Sequence, residues 1–140
     1  MSNAPELPPP VAPRRWPEVL DRLLRVAGGV IAVAGAVVTG FVELIFAAVR
    51  VDGYLIGMSI PLAVLANLAL SWFAYRAVGR RWAVALPAAA WFALMVVAAG
   101  GTSEGDFLLA GNNWVGIVMI FSGAVTFAAA AYRLMIPPRR

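Results

Sequence analysis

Apolar residues in this chain fall into four long runs separated by short polar breaks. The first, Val26 to Val49, holds 24 residues and one charged side chain, Glu43. At about 1.5 Å of rise per residue, a helix of that length crosses a bilayer. Three further runs predict spans over about 54–75, 82–99 and 114–136. Ahead of the first, Trp16, Val19, Leu20, Leu23 and Leu24 recur at helical spacing, and Glu18 with Arg22 and Asp21 with Arg25 make i,i+4 pairs. Pro17 suits a first helical turn. That segment predicts a short amphipathic helix at the membrane surface or a wet extension of the first span. The expected fold is therefore all-α, a four-transmembrane-helix bundle over 16–136 with a short N-terminal amphipathic surface helix. Residues 1–15 carry Pro5, Pro8, Pro9, Pro10 and Pro13 and predict a disordered tail, and 137–140 a second tail.

Within the spans, the small residues predict which faces meet protein. Gly28, Ala32, Ala36, Gly40, Glu43, Ala47 and Arg50 recur at spacings of three and four, and so share one face of the first helix. Small side chains let helix backbones approach closely, and a carboxyl group facing hydrocarbon is costly, so this face is expected to turn inward. On the second span Ser59, Ala63, Ala66, Asn67, Ser71 and Ala74 form a similar face, with Asn67 as an interhelical packing residue. On the fourth, Ser122, Thr126 and Ala130 form a stripe beside Gly123. Ala85, Ala89 and Ala93 recur along the third, which lipid is expected to cover over much of its surface. Pro61 predicts a kink or a loosened first turn in the second span, freeing a carbonyl near Gly57. Arg50-Val51-Asp52-Gly53 is short enough to make spans one and two antiparallel neighbours.

Orientation follows from the arginines. Ten of the eleven (14, 15, 22, 25, 76, 80, 81, 133, 139 and 140) fall on the side of the chain termini, and Arg50 alone on the other. That bias places both termini in the cytoplasm. Trp16, Tyr54, Trp72, Tyr75, Trp82, Trp114 and Tyr132 sit near the expected boundaries, as interfacial aromatics do. The opening residues do not read as a secretory leader, because the apolar run is too long and three more follow.

Composition narrows the chemistry. The chain is 62% hydrophobic, with a mean hydropathy of +0.84, and its net charge of +4 comes wholly from arginine. With no Cys, His or Lys, it has no thiol nucleophile, imidazole base, Schiff-base amine or Cys/His metal site. No enzyme, cofactor or metal is expected. Nucleic acid is not an expected partner, since the basic residues flank membrane spans instead of forming a wet basic face.

Two places invite a role. Glu43, about 10 Å along its helix from Arg50, is a candidate proton or cation site, or a buried structural acid bonded to a facing Ser, a carbonyl or Arg50. The outer loop from Gly100 to Asn113 is a candidate interaction segment: Glu104, Asp106, Asn112 and Asn113 bring oxygen donors, and Phe107, Leu108 and Leu109 are apolar where water is expected. These oxygen ligands would suit a divalent cation, but two close carboxylates are more often the mark of a solvated loop.

The string from Gly105 to Gly116, Gly-Asp-Phe-Leu-Leu-Ala-Gly-Asn-Asn-Trp-Val-Gly, resembles a feature of small four-span actinobacterial membrane proteins of unknown function. The resemblance implies a bacterial plasma-membrane location and no catalytic residue. Two functions fit the sequence. One is an accessory or structural subunit whose partners are the lipid bilayer and another membrane protein or a second copy. The other is a proton-coupled exporter working as an oligomer: four short spans with one carboxylate in the first are similar to the small multidrug resistance family, and Glu43 would then alternate between proton and cationic drug.

Overall fold

The computed structural model describes residues 16–100 and 113–136, and the two expected tails lie outside them. The fold is an all-α bundle of four helices, each long and apolar enough to cross a membrane. α1 spans Trp16–Ala48, α2 Ser59–Val78, α3 Ala85–Ala99 with a 3-10 turn over Arg81–Val84 ahead of it, and α4 Trp114–Met135. In cross-section the helices form a ring in the order α1, α2, α4, α3, and the α3/α4 seam is the thinnest of the four.

The segment expected as a surface helix is the start of α1 itself. Residues 16–48 form one continuous helix of 33 residues. Of the two arrangements the sequence allows, the extension of the first span is the one found.

α1 ends at Ala48, and a two-stranded hairpin follows, Arg50–Val51 pairing antiparallel with Tyr54–Leu55. Asp52 and Gly53 have φ of 51° and 84°, the left-handed pair that a tight two-residue hairpin turn demands. The second helix consequently starts at Ser59, five residues later than the apolar run suggests. That shift changes the part played by Pro61. It lies in the first turn of α2, where a missing N–H costs no helical bond, and the Gly57 carbonyl accepts from the Ile60 amide at 3.1 Å. The Gly57 carbonyl is therefore not freed.

The interior is built from small side chains. Gly28, Ala32, Ala36, Gly40, Glu43 and Ala47 are all buried on one face of α1. A methyl group added at Gly28 would lie 2.6 Å from Ala77 Cβ, and one at Gly40 2.7 Å from Leu94 Cδ2, so α1 closes on α2 at one end and on α3 further along. α2 buries Ser59, Ala63, Asn67, Ser71 and Ala74. α3 turns Ala85, Ala89 and Ala93 outward and buries Pro87, Trp91, Met95 and Ala98 instead. Outside, large apolar residues such as Val30, Ile45, Val96, Ile117 and Phe121 are exposed, the surface a hydrocarbon solvent favours.

Candidate functional site

Glu43 stands at the centre of the bundle and is 0% exposed. α1 carries it inward because its neighbours three and four residues back, Gly40 and Thr39, lie on or beside the face that α3 packs against. Its Oε2 accepts a hydrogen bond of 2.7 Å from Trp91 Nε1 on α3. Trp91 is itself fully buried, with Phe92 and Phe127 rings 5.2 and 5.8 Å from its own. A buried indole needs an acceptor for its N–H, and a buried carboxyl needs a donor, so each side chain meets the other's requirement.

The other two helices complete the node. Asn67 of α2 is also 0% exposed, and Gly123 of α4 lies where the Trp91 ring and the Asn67 amide come together. A methyl group at Gly123 would sit 2.6 Å from Trp91 Cζ2 and 2.9 Å from Asn67 Nδ2. Glycine at that position is what lets α4 approach an indole. Each helix thus supplies one member: acid, amide, indole and the gap that holds them.

Several polar atoms of the node lack partners. Glu43 Oε1 and both amide atoms of Asn67 have no hydrogen-bond partner among the described residues, and nor does Ser59 Oγ at the start of α2. Asn67 contributes its backbone carbonyl, which accepts from Ser71 Oγ at 2.7 Å, but its side chain links no helices by hydrogen bonding.

Other residues singled out by the sequence are used differently. Arg50 does not reach Glu43: the helix has ended, and the guanidinium lies exposed with Nη1 3.5 Å from the Gly53 carbonyl. Ser122 and Thr126 flank the buried face of α4 and donate to carbonyls of their own helix, Met119 and Ser122. That face is formed by Val115, Gly116, Met119, Gly123, Phe127 and Ala130. Asn113, expected in an outward interaction loop, is instead buried as the N-cap of α4. Its Oδ1 accepts from the Gly116 amide at 3.1 Å, and its Nδ2 donates to the Ala47 carbonyl at 2.9 Å, tying the start of α4 to the end of α1. Glu104, Asp106, Phe107, Leu108, Leu109 and Asn112 lie outside the described residues.

Trp91 is the residue that sequence reasoning missed. It is the one tryptophan of five placed away from a span boundary, and a mid-span indole N–H is a polar group in search of a buried acceptor. No group of three or more acidic side chains gathers among the described residues. The chain matches no family model, no curated protein and no solved structure.

Proposed function

We propose that the protein is a small accessory or structural subunit of a bacterial plasma-membrane assembly, non-catalytic, with both termini in the cytoplasm as the arginine bias indicates. The observation that carries the reading is the enclosure of Glu43. A carboxyl group that is fully buried and bonded to a buried indole from another helix acts as a tie that fixes helix register. The small-residue stripe of α1 is consumed inside the same chain, so it offers nothing to a neighbour. A place left open to a partner helix or a second copy is the thin α3/α4 seam. It opens outward as an apolar groove of about 310 Å3, where Ala88, Ala124, Ala128 and Ala131 keep the walls low.

The exporter reading keeps one specific support: Glu43 Oε1 and the Asn67 amide, both close to the Trp91 side chain, are polar atoms without partners among the described residues, the kind of group that a proton or a cation engages. Two substitutions separate the readings. Glu43→Gln preserves an acceptor for Trp91 and Glu43→Ala removes it. For a structural tie, Gln leaves membrane assembly and co-purifying partners intact while Ala diminishes both. For an exporter, Gln abolishes pH-dependent efflux of a cationic dye although assembly is normal. Since the chain has no cysteine, Ala128→Cys crosslinking in native membranes reports directly on what occupies the α3/α4 groove.

A further inference from the structure

At the end of the bundle where α1 begins, three arginines converge from two parts of the chain. Arg22 and Arg25 lie one turn apart on α1, and Arg80 lies just past the end of α2. Together with Glu18 and Asp21 they line an open depression of about 490 Å3. One arginine is anchored: Arg25 Nε donates to Asp21 at 2.7 Å, and its Nη1 donates to the Val78 carbonyl at 3.1 Å. It can lie across the end of α2 because Gly79, at φ 71°, has no side chain; a methyl group there would come within 2.7 Å of Nη1. The pair thereby takes up the Asp21 carboxylate. Arg22 and Arg80 have no hydrogen-bond or ion-pair partner among the described residues.

Deeper, the same three arginines roof a second cavity of about 250 Å3, and no carboxylate lines it. Its walls are Val26, Val78, Trp82 and Leu86. Leu86 is shared in turn with a wholly apolar groove of about 380 Å3 along the outer side of α1, formed with Gly29, Val30, Val33 and Ala34. The sequence along the surface is thus guanidinium groups, then an amphipathic indole, then a channel of aliphatic walls. A soluble anion has no use for the channel, and a neutral lipid has none for the arginines.

We infer that this surface is a binding site for one anionic phospholipid, its phosphate held by Arg22 and Arg80 beside the anchored Arg25 and an acyl chain laid in the groove past Leu86. Arginine near a headgroup contributes about fivefold each in affinity for anionic over neutral lipid. The proposal goes beyond the accessory role and does not depend on it.

The test uses the full chain in nanodiscs of equal parts phosphatidylglycerol and phosphatidylcholine, extracted into neutral detergent for native mass spectrometry. The expected result is one retained phosphatidylglycerol. The double variant Arg22→Gln/Arg80→Gln is expected to lower its ratio to phosphatidylcholine about twenty-five-fold. Both residues are exposed, and unchanged helix content by circular dichroism checks that the fold survives. Ala34→Trp fills the groove while leaving every arginine in place, and it too should release the lipid. In delipidated protein, phosphatidylglycerol should raise the unfolding temperature and inorganic phosphate should not. Equal retention of the two lipids, retention undiminished in the double variant or in Ala34→Trp, or an equal thermal shift with inorganic phosphate would each overturn the proposal.

Discussion

Asn113 and Asn67 are the same side chain buried in two settings. Asn113 stands at the start of α4, where a helix end offers a free amide and the end of α1 offers a free carbonyl, and it bonds both. Asn67 lies within α2, where the backbone is already paired, and its amide bonds nothing among the described residues. Helix ends supply orphan donors and acceptors that a polar side chain can satisfy; helix middles do not. A polar residue at an end therefore contributes stability. One in the middle costs stability unless another side chain meets it, as Trp91 meets Glu43.

The largest test of this contrast is Trp91→Ala. It removes a fully buried indole from the core and leaves Glu43 without its donor, so a loss of about 3–5 kcal/mol is expected from packing alone, measured by denaturant unfolding in mixed micelles. Trp91→Phe removes the N–H donor while keeping part of the ring bulk, and it should cost less than Ala, since interhelical bonds in membranes average about 0.6 kcal/mol. If Phe costs as much as Ala, the node is held by the bond and not by packing. Asn113→Ala comes next. Losing an N-cap costs about 0.5–2 kcal/mol, and here it also uncouples α4 from α1, so hydrogen exchange should quicken at Gly116 before the rest of α4. Asn67→Leu is expected to change stability least, or to raise it, because an unbonded amide is exchanged for an apolar side chain of similar size. A loss above about 2 kcal/mol would mean that the Asn67 amide has a partner in the membrane, and it would break the comparison.

How much of this was legible follows from what the solvent is. In water, apolar residues mark the inside of a helix. In lipid both sides are apolar, and only small or polar residues point inward. α1 was readable because Gly28, Ala32, Ala36, Gly40 and Glu43 fall in register, and α2 because Ser59, Asn67 and Ser71 do. α3 was not. Its alanines at 85, 89 and 93 make a regular stripe, yet they face outward, and its buried side is written in bulk by Trp91 and Met95, which periodicity cannot distinguish from a lipid face. On α4 the hydroxyls of Ser122 and Thr126 are absorbed by their own helix, so the polar stripe lies beside the true packing face. The Glu43–Arg50 pair failed for a different reason: the register that aligns them requires a helix that continues past Ala48, and the Asp52-Gly53 turn ends it.

The length of α1 has a mechanical outcome. Thirty-three residues make a rod of about 50 Å, against about 30 Å for α2 and for the hydrocarbon slab. Even an inclination of about 40°, the steep end of what membrane helices adopt, leaves it taller than the slab. Because Arg25 fastens α1 to the Val78 carbonyl at the end of α2, the excess is gathered on one side, where residues 16–24 run about 14 Å beyond that tie. The bundle therefore carries a stiff mast, with Trp16 held at a set height above the end of α2.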